Sequence, residues 1–392
     1  MTGRGPATDF LRRIAELEQV LDGQLQDWRE VGRLDLAFVD TAALWSKAVW
    51  MAAGALGPAP LSPATLERGL ALARRPVFVC GVHRSGTTLL RDLLDGHPAL
   101  VILPSESNYY TGFERPLRGL ARGVQAEFLC RKWLERIVNP NNQPPYWLLG
   151  RSGARQSAYV ELAREFRAWA AILPDRAGAG ARSWPLVAFA LAYATRVGGG
   201  EIPPTAEMWV EKSPTNERYL ERLWGEFPEA KVIHVLRRPD AVLSSYKAAL
   251  GRVGRPARQA VGTLRDLARS YRIALDLSRR AAPERYRLLR YEQLVAQPAE
   301  SIGAIAAFLG IDALPVLLTP TVAAVPATSN SSFERGRSDP AAGLTPIERD
   351  VLALTLGGRS ARIGYAGIDP VSPPAKWLRR LLPAQRPLTT IT

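Results

Sequence analysis

The segment RPVFVCGVHRSGTTLLRDLLDGHP, residues 75–98, constrains the fold more than any other part of the chain. An apolar run ends in a turn of Gly, Ser and Thr, and a leucine-rich segment with helical periodicity follows. This pattern predicts a strand over 77–80, a loop over 81–86 and a helix over 87–94 that ends at the Gly-His-Pro turn. Backbone N–H groups converge at such a helix N-terminus, so the loop is typical of a site for a phosphate or sulfate group.

The loop has the glycine spacing of the phosphate-binding loop G-x-x-x-x-G-K-[ST] but lacks its lysine. Gly81 and Gly86 match the two glycines, and Thr87 occupies the lysine position. In ATP- and GTP-binding proteins that lysine reaches the β- and γ-phosphates, and the next hydroxyl binds Mg²⁺. Here Arg84 supplies a positive charge from within the loop. Further donors are the hydroxyl groups of Ser85, Thr87 and Thr88.

Composition restricts the class of protein. The chain has 392 residues, of which 47% are hydrophobic, so it can bury one large core or two ordinary ones. Its net charge is +14, but the arginines are scattered among acidic neighbours and no nucleic-acid-binding motif is found, which argues against a nucleic-acid partner. Two cysteines cannot form a disulfide framework, and the N-terminus lacks an apolar signal segment. We therefore expect a cytoplasmic protein.

Element patterns predict an α/β fold with a P-loop-like parallel sheet flanked by helices. Residues 1–73 are predicted to form a helical N-terminal region, and residues 74–369 the α/β domain, in which about 107–200 form a helical, acceptor-binding lid insertion. Strands at 208–212, 231–237 and the start of 286–311 alternate with helices, which is typical of a parallel sheet.

The sequence also predicts how the chain relates to membranes. Its two longest apolar stretches are interrupted or too short to cross a bilayer, so no transmembrane segment is predicted. Residues 370–392 are predicted to be a flexible basic tail, because they are rich in proline. A short basic amphipathic patch in that tail leaves weak contact with a membrane surface open. The sequence leaves the oligomeric state open.

A second basic element follows the strand in KVIHVLRRPDAVLSSY. The strand ends at Arg237, and the next helix exposes Ser244 and Ser245 on its first two turns. A guanidinium group at the end of a strand and a hydroxyl on the following helix can hold one phosphate together. Two anion-binding elements on one sheet predict a ligand with two separated phosphate groups.

Three segments resemble those of PAPS-dependent sulfotransferases, where PAPS is 3′-phosphoadenosine 5′-phosphosulfate. They are RSGTTLLRDLLDGHP, VIHVLRRPDAVLSS and LRYEQLVAQP…IAAFLGI, and the likeness is greatest to bacterial members and to tyrosylprotein sulfotransferases. The resemblance spans about residues 75–366. It implies that the first loop binds the 5′-phosphosulfate, with Arg84 at the basic position, and that Arg237 and Ser245 bind the 3′-phosphate. Such a donor needs neither the P-loop lysine nor Mg²⁺, so we expect no metal.

The same resemblance assigns four further residues. Lys212 in VEKSPTN corresponds to a catalytic lysine that neutralises the leaving group, and Tyr291 in RYEQL to a nucleotide contact. Ser329 resembles the serine of S-x-S-x-x-E-R in the tyrosylprotein enzymes. Glu106 is the candidate general base, and we expect partial burial to raise its pKa. The structural alternatives are an ion pair of Lys212 with Glu211, Tyr291 in the core, Ser329 in a polar loop, and Glu106 as a helix cap or an arginine partner.

The resulting hypothesis is sulfuryl transfer from PAPS to an acceptor hydroxyl of a carbohydrate, lipid, phenol or tyrosine. A P-loop kinase-like phosphotransferase is disfavoured, because the lysine is missing and Arg237 stands where a Mg²⁺-binding Asp is expected. A non-catalytic polyanion-binding module is the third alternative. His97 and His234 are expected to be structural. Aromatic residues of the insertion either line an acceptor cleft or pack in the core; they are Tyr109, Tyr110, Trp133, Tyr146 and Trp147.

Overall fold

The computed structural model describes residues 6–31, 36–138, 147–149, 155–175, 182–252, 261–280, 282–323, 325–326, 341 and 343–381. The α-helices are α1 Pro6–Val31, α2 Leu36–Leu56, α3 Pro63–Ala73, α4 Thr87–Leu94, α5 Glu114–Leu117, α6 Arg122–Ile137, α7 Arg155–Ile172, α8 Trp184–Val197, α9 Leu220–Glu226, α10 Pro239–Arg252, α11 Val261–Arg280, α12 Tyr291–Ala296, α13 Pro298–Leu309, α14 Pro346–Ile363 and α15 Pro373–Leu381. The strands are β1 Pro76–Cys80, β2 Leu100–Ile102, β3 Met208–Lys212, β4 Lys231–Leu236, β5 Tyr286–Arg290, β6 Thr321–Val322 and β7 Val325–Pro326.

Five parallel strands form the central sheet in the order β2-β3-β1-β4-β5. The predicted α/β fold with a parallel sheet is therefore confirmed. Every residue of β1 and β3 is buried, as expected for a parallel sheet that is covered on both faces. Because β1 lies between β3 and β4, the loops that follow these three strands meet at the carboxyl edge of the sheet. This edge is where open α/β sheets bind ligands.

Two hydrophobic clusters cover the two faces of the sheet. Phe78 and Trp209 belong to one cluster, whereas Val79 and Val210 belong to the other. The division follows from the strand period of two, which directs successive side chains to opposite faces. The first cluster continues into helices α1, α2, α6, α7 and α8, so the N-terminal helices and the helical insertion share one core with the sheet.

Some element boundaries differ from the predicted ones. Strand β4 ends at Leu236, one residue earlier than predicted. A 3₁₀ turn, Asn216–Tyr219, precedes α9, and helix α10 begins at Pro239. Proline suits the first turn of a helix, because its missing N–H would have no intrahelical acceptor there.

Three of the five aromatic residues that the sequence singled out in the insertion pack in the core. Tyr110, Trp133 and Trp147 are buried, and the Trp147 ring packs edge-to-face against Trp45. Burial of such large rings stabilises the fold more than exposure on a surface would. Tyr109 is also buried but reaches a cavity described below, and Tyr146 lies outside the described residues.

The predicted tail begins with an ordered helix. Helix α15, Pro373–Leu381, contacts α14 and buries Ala375. Residues 382–392 lie outside the description. Among the helices that the structure describes, none combines the length and the apolar character needed to span a bilayer.

Candidate active site

The loop between β1 and α4 has the conformation that an anion site requires. Gly81, Arg84 and Gly86 adopt positive φ angles of 141°, 72° and 100°. The Ser85 N–H donates to the Val82 carbonyl at 3.0 Å and closes the turn. Gly86 caps α4, and the N–H groups of the first helical turn have no intrahelical acceptor. The loop therefore presents these donors to a ligand.

Two glycines of the loop leave no room for a side chain. A Cβ atom at Gly81 would lie 2.3 Å from the Val235 carbonyl oxygen, and one at Gly86 would lie 2.2 Å from Cδ2 of Tyr291. The Gly86 backbone thus packs directly against the Tyr291 ring. This contact explains why the β1–α4 loop and the start of α12 form one surface.

Two buried donors at this surface have no hydrogen-bond partner among the described residues. They are the Ser85 hydroxyl and Nε of Arg237. Buried polar groups in folded proteins nearly always have partners, so such atoms indicate a place for a ligand acceptor. Thr87 is also buried and Thr88 is half-buried in the first turn of α4. An anionic group fits this donor set.

The second basic element contacts the first. Nε of Arg84 donates to the Ser245 hydroxyl at 3.1 Å, and Nη1 of Arg237 donates to the Arg84 carbonyl at 3.1 Å. The Arg237 guanidinium lies 4.5 Å from the centre of the Tyr291 ring. The structure therefore brings Arg84, Gly86, Arg237, Ser245 and Tyr291 together, although they come from three separate segments.

The two consecutive arginines after β4 have different surroundings. Arg237 faces the anion loop, whereas Arg238 pairs with Asp240 at 2.7 Å. The Arg238 N–H donates to Glu292 at 2.9 Å, which ties this turn to α12. Only Arg237 therefore faces the loop, and the contacts of Arg238 stabilise the turn between β4 and α10.

Lys212 and Glu106 form an ion pair at the end of β3. Nζ of Lys212 lies 2.5 Å from Oε1 of Glu106; the Lys212 side chain is 3% exposed and that of Glu106 is 30% exposed. Burial disfavours the charged form of Glu106, but the charge and hydrogen bond of Lys212, helped by His83, outweigh it and lower its pKa. The predicted rise in pKa is therefore wrong, because the sequence did not reveal the neighbouring ammonium group.

Glu211, the neighbour of Lys212, has a separate structural role. It accepts hydrogen bonds from the Ser107 hydroxyl at 2.6 Å, from Nδ2 of Asn216 at 2.7 Å and from the Ser213 hydroxyl. The suggested Glu211–Lys212 pair is not formed, since successive side chains of a strand point to opposite faces. Burial raises the pKa of Glu211. Its hydrogen bonds join the segment of Glu106 to the end of β3.

Several residues that support the site were not found from the sequence. Nη1 of Arg136 donates to the Glu106 carbonyl at 2.7 Å, and Nε1 of Trp133 donates to the Ser107 carbonyl at 2.9 Å. Glu217 accepts from the Gly81 N–H at 3.1 Å. The polar run KSPTNE directly after an apolar strand was the available indication for Glu217. Nothing local to α6 indicated Arg136.

The histidines divide into two structural residues and one near the ion pair. His234 is fully buried between the Tyr286 and Ser270 hydroxyls at 2.8 Å each, and burial lowers its pKa to about 3. His97 accepts from the Ala99 N–H at 3.2 Å within its turn. Partial burial also lowers the pKa of His83, which is close enough to Glu106 to feel its charge.

A separate cavity of about 650 Å³ opens beside the insertion. Glu114 in its wall pairs with Arg222 at 2.7 Å and with Arg118 at 3.0 Å. The lining consists of Tyr109, Glu114, Arg118, Gly119, Arg122, Gln125, Pro174, Arg182, Trp184 and Arg222. None of the predicted site residues contributes to it.

Ser329 lies outside the described residues, so its predicted role is untested. Within the ranges that the structure describes, no group of three or more His, Cys, Asp or Glu side chains is arranged to hold a metal ion.

Comparisons with known proteins identify the family. The sequence pattern of the sulfotransferase family matches residues 76–315, more than half of the chain.

Three solved structures are similar at low identity. The sulfotransferase domain of the Synechococcus PCC 7002 olefin synthase is 22% identical, with a TM-score of 0.36, and covers 80% of this chain and 90% of that domain. Sulfotransferase STF9 from Mycobacterium avium is 16% identical, with a TM-score of 0.43 and coverages of 91% and 97%. Sulfotransferase STF1 from Mycobacterium tuberculosis H37Rv is 15% identical, with a TM-score of 0.38 and coverages of 86% and 98%. No curated protein matches the chain.

Because the family match spans the anion loop, Lys212 and the second basic element, the chain belongs to the sulfotransferase family.

Proposed function

We propose that the protein transfers a sulfuryl group from PAPS to an acceptor hydroxyl. The observation that carries this proposal is that the β1–α4 loop, the Arg237 and Ser245 element and the Lys212–Glu106 ion pair lie at one edge of the sheet. A donor with phosphate groups on the 3′- and 5′-oxygens of its ribose needs two cationic elements. The transfer itself needs a cation and a base beside the first one.

The donor would be held by the residues that the sequence singled out. Ser85 and the first-turn N–H groups of α4 suit the 5′-phosphosulfate, because this hydroxyl is buried without a partner among the described residues. Arg237 and Ser245 suit the 3′-phosphate. The Ser245 hydroxyl is now bonded to Arg84 at 3.1 Å, so a bound phosphate would replace one partner of that hydrogen bond. Tyr291 would support the nucleotide from beneath Gly86.

The chemical step is an in-line displacement in which Lys212 and Glu106 take opposite roles. The acceptor oxygen forms a bond to sulfur while the bond from sulfur to the bridging phosphate oxygen breaks. The hydroxyl proton passes to the Glu106 carboxylate, and the Lys212 ammonium offsets the negative charge that develops on the departing phosphate. As Lys212 moves toward that phosphate, its ion pair with Glu106 breaks. The pKa of Glu106 then rises, so the carboxylate becomes a stronger base.

The acceptor side of the site is proposed to include the cavity beside the insertion. Tyr109 lies three residues after Glu106 and forms part of the cavity wall, so the two regions are continuous along the chain. Four arginines line the cavity, and three carboxylates pair with three of them: Glu114 with Arg118 and Arg222, Glu226 with Arg222, and Asp175 with Arg122, which leaves a net positive charge. We therefore favour an acceptor that carries a negative charge near its hydroxyl group. Ser329, where the family resemblance places a catalytic serine, is proposed to take part in the transfer.

Calorimetry with adenosine 3′,5′-bisphosphate, the product nucleotide, tests the donor assignment. We expect binding in EDTA, because Arg84, Arg237 and the α4 N–H groups already supply the countercharge. Loss of binding on chelation, or equal affinity for ATP, would instead favour a phosphotransferase. Binding to any polyanion with the same salt dependence would favour a simple polyanion module. Incubation with labelled PAPS and a panel of acidic and neutral hydroxyl compounds then tests transfer and the acceptor class.

A further inference from the structure

Helix α15 exposes a large apolar face. The side chains of Trp377, Leu378 and Leu381 are 60%, 46% and 64% exposed. Trp377 and Leu381 are four residues apart and Leu378 is three before Leu381, so all three lie on one side of the helix. An apolar side chain that stands alone on a surface needs no explanation, but three large ones on a single short helix do.

The opposite side of α15 holds the helix against the protein. Ala375 is buried at the contact with α14. Arg379 also faces α14, since a Cβ at Gly357 would lie 3.8 Å from its Nε. A surface helix normally turns its apolar stripe toward the core. Helix α15 does the reverse, because it packs through a small side chain and an arginine stem and leaves its apolar face uncovered.

Further apolar side chains are exposed on α14 and just before α15. Asp350 accepts hydrogen bonds from the Val371 and Ser372 N–H groups at 2.7 and 3.2 Å, which fixes the start of α15 beside α14. Val351 follows Asp350 directly, and Ile347 lies one turn before it. Ile347 is 75% exposed, and both Val351 and Val371 are also exposed. The apolar surface is therefore held in place by ordered backbone.

The charges of α15 suit an anionic surface. Its sequence PPAKWLRRL contains three cationic and no acidic residues. Lys376 and Arg380 are exposed beside the apolar face. Tryptophan prefers the interface between water and hydrocarbon, and the long stems of lysine and arginine let their charged ends reach lipid phosphates while apolar neighbours enter the bilayer. A basic helix with one apolar face is typical of a segment that lies in a membrane surface.

We propose that α15 docks the protein onto an anionic lipid surface. Trp377, Leu378 and Leu381 enter the boundary between headgroups and acyl chains, and Lys376 and Arg380 pair with lipid phosphates. This inference does not rest on the proposed sulfuryl transfer, since none of these residues belongs to the nucleotide site. It would hold the enzyme at a membrane through a reversible contact of its own surface.

Co-sedimentation of the full chain with vesicles tests the proposal. Vesicles of phosphatidylcholine alone are compared with vesicles that also contain phosphatidylserine, each at low and high salt. We expect partition onto the anionic vesicles that weakens with salt, because each cation near an anionic surface contributes to binding through a screened interaction. Absence of partition onto anionic vesicles at low salt would overturn the proposal.

Paired variants separate the apolar and charged contributions. The double change Trp377→Ala and Leu381→Ala should reduce the partition constant about tenfold or more, because apolar area no longer leaves water. Lys376→Glu with Arg380→Glu should remove the preference for anionic vesicles. Val124→Ala on α6, at an exposed apolar position away from α15, is the matched control and should bind as the parent does.

Two further measurements keep the result interpretable. Melting temperature and affinity for adenosine 3′,5′-bisphosphate should be unchanged in the α15 variants, which shows that they remain folded. Sedimentation velocity without lipid tests whether the face binds a second copy of the chain. A concentration-dependent dimer that the Trp377→Ala and Leu381→Ala changes abolish, with unchanged vesicle binding, would replace the membrane proposal by a protein interface.

Discussion

Lys212 and Glu106 lie 2.5 Å apart, Nζ to Oε1, although 106 positions separate them in the chain. Lys212 is the last residue of β3, and Glu106 follows β2, the neighbouring strand. Hydrogen bonds support the segment of Glu106: Glu211 accepts from the Ser107 hydroxyl, and Arg136 donates to the Glu106 carbonyl. These contacts therefore tie the segment that carries the proposed base to the end of the strand that carries the proposed leaving-group cation.

Glu106→Gln should lower the rate of sulfuryl transfer by about 10²–10⁴-fold, because glutamine keeps the size of the side chain but cannot accept the proton. Affinity for adenosine 3′,5′-bisphosphate should stay nearly unchanged, since the base acts on the transition state and not on the bound nucleotide. Turnover, calorimetry and melting temperature are measured on one preparation.

Glu135→Gln is the matched control for that variant, because Glu135 also pairs with a lysine, Lys132 at 2.7 Å, but on α6. It should retain normal turnover. A stable Glu106→Gln enzyme with most of its activity would exclude Glu106 as the base and direct attention to Lys212 and Ser329.

The pH dependence of kcat/KM should follow the lowered pKa of Glu106. A base must be ionised, and the pKa of this one lies below the ordinary 4.5, so acidification from pH 7 leaves it charged. The acid-side loss of activity should therefore appear only below about pH 4.5. Lys212→Met removes the main cause of the low pKa of Glu106. Burial should then raise that pKa, which moves the acid-side loss of activity to higher pH.

His83→Gln serves as the control for the pH profile. The pKa of His83 is lowered from 6.5, so a loss of activity between pH 6.5 and 4.5 that disappears in this variant would make His83 the base instead of Glu106. If Glu106 is the base, the profile of His83→Gln keeps its acid limb where the parent has it.

Arg237→Ala should weaken binding of adenosine 3′,5′-bisphosphate by about 2–4 kcal/mol, the range expected when the charged partner of a buried anion is removed. Adenosine 5′-phosphate, which lacks the 3′-phosphate, should lose much less. Calorimetry with both ligands measures the difference.

Arg238→Ala is the neighbouring control, because Arg238 pairs with Asp240 and does not face the loop. It should lower the melting temperature without distinguishing the two nucleotides. Equal losses for both ligands in Arg237→Ala would mean that Arg237 is structural.

Gly86→Ala should reduce nucleotide affinity by more than about tenfold and lower stability by about 1–3 kcal/mol, the cost of a non-glycine residue in a strained backbone region. The new Cβ would lie 2.2 Å from the Tyr291 ring at a φ of 100°. The double variant with Tyr291→Ala should lose less stability than the sum of the two single losses, because the truncation removes the clash while the backbone strain stays. Denaturant titration and calorimetry measure the two effects.

Gly23→Ala on α1 is the control for the glycine variant. A Cβ there meets nothing within 4 Å, and alanine favours a helix by about 1 kcal/mol over glycine, so the protein should become slightly more stable. A Gly86→Ala protein with normal affinity and stability would contradict the close contact with Tyr291.

The sequence by itself determined the features that depend on neighbours in the chain. Hydrophobic periodicity predicted α4 over 87–94, where the structure has Thr87–Leu94, and the alternation of strands and helices predicted the parallel sheet. The glycines and hydroxyls of the loop predicted an anion site after β1. Such features are set by local backbone preferences and side-chain spacing, so they can be predicted without knowledge of the tertiary contacts.

Only the tertiary structure decided which distant groups meet. It paired Lys212 with Glu106 instead of Glu211, bonded Arg84 to Ser245 and placed the Arg237 guanidinium on the Tyr291 ring. The direction of the Glu106 pKa shift depended on the first of these contacts. In the same way, the sequence predicted a flexible tail with a short basic amphipathic patch, but packing on α14 determined that this patch forms a helix whose apolar face points outward. Long-range contacts depend on strand order and on the space left by all other side chains, which no local pattern contains.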